Sequence, residues 1–526
     1  MADDPPADDL YATDLGNFDR PEFVRSNPMN ESEFEDPRPA PRPVIPPPEN
    51  EITYRVVNNG SDMGKDILID SLGYQYTVKI DNRRPTKTWR CSRRSKALTC
   101  TATVLERGGN YIRAGHDHIC GGAQPGREKV AIIRREVKAQ AVKRPFESAA
   151  QITEEVMMEH MHPDEAALHP TMPGPLYIAK AGNRKRQGTR PRHPDGLHFD
   201  VNEDHIPDSF LRKDVRIGDR RHLIFATDTM LRHLSQCRVW YVDATYKVVR
   251  APFSQLFSVH AFIKSGTSTK QIPLAFVLMS ARNATDYTGV LRAIMELLPG
   301  PPSVTRVMTD YEPATWQALR AVFPGVEVKG CLFHFTQAVF RKVQSLGLQH
   351  AYSNDPGTHA VCRDLMSLPL LPQEHVAAVF ARISAKITDA TPALRQLATY
   401  VDNQWVGGNI FKPESWSVFQ QKIRTNNDVE GWHCRLNHRG QKANLPFYLL
   451  VELLRKESTL VSFAVQFVYQ EEQLRRHRAG SANINSRLTT LWQEYAAGDR
   501  SARSLLSAGS HYICPRPKQH DDDVFQ

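Results

Sequence analysis

The sequence predicts an α/β protein. Its core elements run in the order βββαβαβ, interrupted by a helical insertion, behind a small β-rich module and an acidic, disordered tail. Three observations predict this. From residue 237 onward, apolar runs of strand length give way to an alternation of strands with helical stripes. Residues 51–120 are rich in Tyr, Trp, Thr and Val and broken by turn residues, as small antiparallel strands are. Residues 1–50 hold 11 of the 36 prolines and few aliphatics, too little apolar surface to offset the entropy of ordering.

At 526 residues, with 40% hydrophobic and 24% charged side chains, the chain has material for more than one core. Its net charge of +9 is unevenly spread: residues 1–50 carry 4 basic and 12 acidic residues, which leaves +17 on residues 51–526. That excess points to a polyanionic partner, most simply nucleic acid. The start, MADDPPADDL, has neither the basic nor the apolar region of a secretory signal. No apolar run is long enough to span a bilayer; LPFYLLVELL is broken by Glu452 and followed by Arg455 and Lys456. No membrane partner is therefore expected. Eight cysteines scattered from Cys91 to Cys514 read as reduced thiols, some of them metal-bound, rather than as a disulfide scaffold.

Taken in order, residues 121–236 form a basic, Pro-interrupted and partly helical linker or DNA-binding region. Its cluster of Arg184, Lys185, Arg186, Arg190 and Arg192 suits a nuclear-import signal, a DNA-backbone contact or a solvated linker, and charge alone does not choose among them. Over 237–347, CRVWYVDATYKVV, FSQLFSVHAFI and IPLAFVLM are three strands. Tyr287, Val290, Leu291, Ile294, Leu297 and Leu298 then share one helical stripe, stopped by PGPP. SVTRVMTD is a fourth strand; Pro313 opens a helix that Pro324-Gly325 closes. VEVKGCLF is a fifth strand, and HFTQAVFRKVQSLG a helix ended by Gly347. Residues 348–425 are expected to be a helical insertion, 426–440 a further helix, and 441–526 a helical C-terminal region and tail. The βββαβαβ order is the ribonuclease-H-like arrangement.

Two constellations carry chemistry. Cys91-x8-Cys100-x15-His116-x-His118 offers two thiolates and two imidazoles, enough for a tetrahedral zinc shell. In an extended chain His116 and His118 project to one face, and a domain of about 70 residues with a thin core gains most from a metal staple. The same residues also suit two small core cysteines with surface histidines. The stretch GYQYTVKIDNRRPTKTWRCSRRSKALTCTATVLERGGNYIRAGHDHIC, with Leu72, Tyr74, Tyr76 and Trp89 in that family's order, resembles a FLYWCH-type zinc finger. The resemblance implies that Cys91, Cys100, His116 and His118 hold Zn²⁺ and that the module binds DNA or protein; Cys120 is a spare thiol. Arg83, Arg84, Lys87, Arg90, Arg93, Arg94 and Lys96 lie between residues 83 and 96 without an intervening acid, which suits phosphate contact.

The second constellation is acidic. Asp243 sits in an otherwise apolar strand, where a carboxylate is costly unless an ion or partner compensates it. Asp310 ends another strand just before the Pro313 helix, and the two can share divalent metals at one sheet edge. In TNNDVEGWHCRLNHR, Glu430, His433 and Asn437 share one helical face; Glu430 equally suits the helix dipole. VDATYK, VMTDYEPA, CLFHF and NNDVEGWH together resemble the Mutator-like element (MULE) transposase family over about residues 238–438. That resemblance implies a DDE-type triad at Asp243, Asp310 and Glu430 holding Mg²⁺ or Mn²⁺, with Cys331 and His334 as the family's Cys/Asp-x2-His motif. It implies a nuclear DNA strand transferase or endonuclease that self-associates on DNA. The alternative is a domesticated, non-catalytic DNA-binding regulator.

Overall fold

Gly108 and Gly109, both at positive φ (58° and 84°), form the two-residue connection of the sharpest hairpin in the N-terminal part, where a Cβ would be strained. The hairpin belongs to a six-stranded antiparallel meander: β1 (Tyr54–Val57), β2 (Ile67–Asp70), β3 (Gln75–Asp81), β4 (Thr86–Cys91), β5 (Thr103–Arg107) and β6 (Asn110–Ala114), paired in sequence order. The computed structural model describes residues 52–61, 63–81, 86–95, 97–162, 172–206, 209–266, 268–470 and 479–515. The expected acidic tail and the finger residues Arg83, Arg84 and Lys96 lie outside the described residues. These residues fall into two compact units, one drawn from Met1–Val137 and Thr153–Ile178, the other from Lys138–Ile152 and Ala179–Gln526.

In the first unit, alternation along β4 turns Trp89 and Cys91 inward. They bury with Leu68, Tyr76, Cys100, Ala102 and Val104. The indole of Trp89 donates to Glu106 Oε2 at 2.8 Å, so its one polar atom is satisfied inside the core. Along the chain three helices follow, α1 (Arg127–Lys143), α2 (Ala149–His160) and α3 (Pro175–Gln187), each with residues in both units.

The second unit is a mixed α/β assembly. Its strands are β7 (Leu211–Ile217), β8 (Arg220–Phe225), β9 (Val239–Thr245), β10 (Gln255–Ser265), β11 (Ser268–Met279), β12 (Arg306–Thr309) and β13 (Glu327–Gly330). They lie in the order β13-β12-β9-β10-β11-β8-β7. The pairs among β9, β10, β11, β8 and β7 are antiparallel, whereas β12 runs parallel to β9 and β13 parallel to β12. Between them run α4 (Asp228–Gln236), α5 (Ala284–Leu297), α6 (Pro313–Val322) and α7 (Leu332–Ser345). From Val239 to Ser345 the element order is therefore βββαβαβα, as the periodicity predicts.

One stretch differs from its sequence reading. Residues 211–236, placed in the basic linker, form β7, β8 and α4 and add two strands to the sheet. The strand β7, LRKDVRI, is the edge, and an edge strand carries charged side chains that discourage further pairing. Its Arg, Lys and Asp therefore read as linker.

Beyond α7 come α8 (Gln349–Asn354), α9 (Pro356–Ser367), α10 (Gln373–Lys386), α11 (Pro392–Val401) and the short α12 (Pro413–Trp416), then α13 (Asn427–Gly440), α14 (Phe447–Tyr469), α15 (Ala479–Ala496) and α16 (Ala502–Ile513). An aromatic cluster anchors the insertion to the sheet. Tyr311, one residue past Asp310, meets Trp405 edge-on at 4.6 Å, and Phe335 stacks on Trp416 at 5.1 Å. The approach is close enough that a Cβ on Gly330 would lie 2.2 Å from the Tyr311 ring. Among the described residues, no helix is long and apolar enough to cross a membrane.

Candidate metal centres

The first centre lies in the N-terminal sheet. Cys91, Cys100, His118 and Cys120 each offer a ligand atom, all within 4.8 Å of one another. Cys91 Sγ lies 3.8 Å from Cys120 Sγ, and His118 Nδ1 lies 3.5 Å from Cys100 Sγ and 3.7 Å from Cys120 Sγ. A tetrahedral zinc with Zn–S of about 2.3 Å and Zn–N of about 2.0–2.1 Å would set its ligand atoms roughly 3.5–3.8 Å apart. The four groups therefore fit a tetrahedral shell. His116 is exposed and stands outside the group, and Cys120, read as a spare thiol, stands inside it.

The ring of His118 is fixed from behind. Tyr76 donates its hydroxyl to Asp70 Oδ2 at 2.7 Å and lies 2.8 Å from His118 Nε2. Tyr74 stacks on the imidazole at 3.6 Å, nearly parallel. Burial keeps His118 below its ordinary value, hence neutral, and pushes the Cys91 thiol up to about 12. For Cys100, burial is outweighed by the amides of Ala102 and Ile119, which lower it.

Of the basic residues read as DNA contacts, Arg93 and Arg94 are exposed, whereas Lys87 and Arg90 are half-buried. Lys87 lies over the Trp89 ring at 5.6 Å. In α3, Arg184 and Lys185 are exposed, but Arg186 is 4% exposed. Its guanidinium donates to Glu147 O and to Asn183 Oδ1, so Arg186 serves packing and is not presented to a phosphate.

The second centre is at the sheet's carboxyl edge. Met308 pairs with Tyr241 in the parallel β12–β9 ladder. Asp243 stands two residues past Tyr241 on β9, and Asp310 directly follows the last residue of β12, so the parallel register carries both acids to the same edge of the sheet. Tyr241 and Asp243 share a face of β9, and Tyr241 packs on that face against Met308 and Val429 of α13. The helix that carries Glu430 therefore lies over the strand that carries Asp243. Burial, then the charge of Asp310, then those of Glu430 and Glu312, hold the Asp243 carboxyl well above its ordinary value, although the Ala244 amide donates to it at 2.8 Å. Asp310 and Glu430 are partly exposed. Carboxylates that repel one another in a dry setting are relieved by a cation, and oxygen donors suit Mg²⁺ or Mn²⁺.

Glu312, which sequence reasoning passed over, belongs to the same neighbourhood. It precedes Pro313 at the N-cap of α6 and accepts from Tyr287 Oη at 2.8 Å and Thr315 Oγ1 at 3.2 Å. Burial and then Asp310 raise it to about 7. Its only local signal is a second acid two residues after Asp310.

Cys331, His334 and His433 also gather here. His334 Nε2 is 3.5 Å from Glu430 Oε1, and His433 Nδ1 is 3.8 Å from Asp243 Oδ2. Cys331, His334 and Glu430 form a second group that could hold a metal ion. The thiol of Cys331 is fully buried and pushed up to about 12, mainly by burial. Burial also lowers both histidines, His433 to about 3.

Residues 239–338 match the family model of the MULE transposase domain. The match runs from the start of β9 into α7, spanning Asp243, Asp310, Cys331 and His334. It supports the Mutator-like transposase family for this chain, and with it a transposase-type function, nuclease or transferase activity in general, and DNA as substrate. None of the curated proteins compared matches the chain.

Proposed function

We propose that the protein is a DDE-type DNA transposase that cuts and joins DNA phosphodiesters, with Asp243, Asp310 and Glu430 holding Mg²⁺ or Mn²⁺ in a ribonuclease-H-like core. The observation that carries this reading is the mutual electrostatic cost of the acids at one sheet edge: Asp243 is desolvated in an apolar strand and faces Asp310 and Glu430. Such a cluster is stable as a set of anions only around a cation. Divalent ions bound there would activate an attacking water or DNA 3′-hydroxyl and neutralise the leaving oxygen. The chain's own part is to hold the carboxylates rigidly on β9, β12 and α13 and to keep bulk water from Asp243. No side-chain nucleophile is required.

The N-terminal module is proposed as a zinc finger closed by Cys91, Cys100, His118 and Cys120, with Arg93 and Arg94 facing phosphate. The exposed Arg184 and Lys185 suit recognition by the nuclear-import machinery, and the protein is proposed to be nuclear and to self-associate on DNA. The test is a metal-dependent nicking assay on DNA carrying the element's own ends. Wild type should nick with Mg²⁺ or Mn²⁺, and Asp243→Asn should lose at least about 100-fold, as loss of a group that acts on the transition state does. Absence of metal-dependent cleavage by the wild type on a range of DNA ends would leave a non-catalytic DNA-binding protein as the better reading.

A further inference from the structure

We propose that His334 and His433 are positioning residues that aim the outer two carboxylates of the acidic site, and that Cys331 clamps the helix supplying the third acid. The proposal rests on the metal-site reading given above. Its basis is a set of reciprocal contacts at the seam where the insertion ends. Glu430 follows His334 by 95 intervening residues, so its helix must be returned to the sheet with ångström accuracy. Three contacts do so at the start of α7. Leu332 N donates to Arg424 O at 2.9 Å, Asn426 N donates to Cys331 Sγ at 3.2 Å, and the His334 imidazole meets Glu430 at 3.5 Å. The first two tie the chain entering α13 to the N-terminus of α7, and the third orients the acid itself.

The fourth contact runs the other way. His433, one turn after Glu430 on α13, reaches back to Asp243 on β9 at 3.8 Å. Its far nitrogen, Nε2, lies 3.5 Å from Ser258 Oγ, and His260 Nε2 lies 2.9 Å from the same oxygen. Ser258, His260 and His433 are all buried, and Ser258 is the cross-strand neighbour of Asp243. Ser258 Oγ donates its proton to the backbone carbonyl of Asp243 at 3.3 Å, and His433 turns its Nδ1 towards the Asp243 carboxylate. His334 Nδ1 has no hydrogen-bond partner, which places its proton on Nε2, facing Glu430. Each histidine thus turns a ring nitrogen towards a carboxylate oxygen of another element, at 3.5 and 3.8 Å; neither approach is a direct hydrogen bond, but each limits where that carboxylate can point, as groups around a metal site orient its ligands. Cys331 Sγ accepts the Asn426 amide proton, and the trio, whose ligand atoms lie close enough to hold an ion, is assigned to the acid site rather than to a zinc centre of its own.

Mn²⁺ binding to the full-length protein, followed by electron paramagnetic resonance, tests this together with nicking rates. Asp243→Asn is the reference and should abolish high-affinity Mn²⁺ binding. His334→Leu and His433→Leu, which keep bulk but lose the donor, should each weaken Mn²⁺ binding about 10- to 100-fold. They should lower kcat and leave KM for DNA unchanged. His334→Gln and His433→Asn, which restore an N–H at the matching position, should recover most of the loss. If the leucine variants unfold in EDTA at lower temperature than wild type, the amide variants carry the test, since a packing role predicts no recovery from them. Wild-type Mn²⁺ affinity in the folded histidine variants would overturn the positioning role while Asp243→Asn still abolishes binding. Wild-type affinity in Asp243→Asn would overturn the metal-site reading itself. One equivalent of zinc lost on Cys331→Ser, with Cys91 and Cys100 intact, would replace the clamp with a metal centre.

Discussion

Tyr76 gives its one hydroxyl proton to Asp70 and so accepts from His118 Nε2, which leaves Nδ1 facing the sulfurs of Cys100 and Cys120. Past the end of β6, Cys120 is half-buried beside this group and His116 is exposed. Cobalt substitution distinguishes the two ligand sets: Cys120→Ala should remove about a third of the thiolate-to-cobalt absorption by reducing three sulfurs to two, and His116→Ala should leave the spectrum unchanged. The opposite pattern would restore His116 as a ligand.

Glu312 makes a pH prediction. Its folded value of about 7 lies above its ordinary 4.5, through burial and then Asp310. A carboxyl raised in the folded state contributes stability in full below its unfolded value and loses it as pH rises through the folded one. Metal-free wild type should therefore lose stability relative to Glu312→Gln between about pH 4.5 and 7. Lowered histidines such as His222 and His260 act in the opposite sense, losing stability as pH falls below 6.5, but they are common to both proteins. Urea unfolding in EDTA at pH 5 and pH 7.5 measures the difference, and parallel pH profiles for the two proteins would refute it.

At the scale of elements, α13 is held by the sheet and by α14. Val429 meets the sheet, and Trp432, on the same face, stacks on Phe276 of β11 at 5.6 Å. Trp432 Nε1 also donates to Glu457 Oε2 at 2.8 Å, and Arg439 pairs with Glu457 Oε1. Glu457 is 2% exposed on α14 and Trp432 is buried, so removing the carboxylate leaves the indole N–H unsatisfied. Arg439 is itself exposed, so the buried indole N–H is the group left without a partner: Glu457→Ala should cost about 1–3 kcal/mol in chemical denaturation, and Glu457→Gln, which keeps an acceptor for the indole, should cost less. Equal losses would show that the indole contact contributes nothing. No local pattern in α14 marks Glu457 as a partner of α13; it reads as an ordinary helical acid until the two helices cross. Strands β9 to β13 were legible because side-chain period and Pro/Gly punctuation are local. The edge strand β7 was not, because its charges follow from its place in the sheet.

Across the molecule, charge and acid site point to the same substrate. If Arg93 and Arg94 contact phosphates, replacing both with Ala should lower the slope of log binding constant against log salt by about 2, roughly 0.9 per contact. It should also weaken binding to all sequences alike. A fluorescence anisotropy titration across salt concentrations would measure this, and an unchanged slope would remove those residues from the interface.

Alternating apolar runs, helix stripes and breaker residues were enough to place the strands and helices of residues 237–347, because each depends on neighbours within a few positions. The oddity of an acid inside an apolar strand was equally visible at Asp243, because its cost is local. Pairings across the chain were of another kind. That Cys120 and not His116 stands with Cys91, that Arg186 is buried, and that Glu312, His334 and His433 surround the acids all depend on contacts between residues far apart in sequence. Such contacts are set by how strands register and helices dock, and a one-residue slip in either would exchange an inward side chain for an outward one.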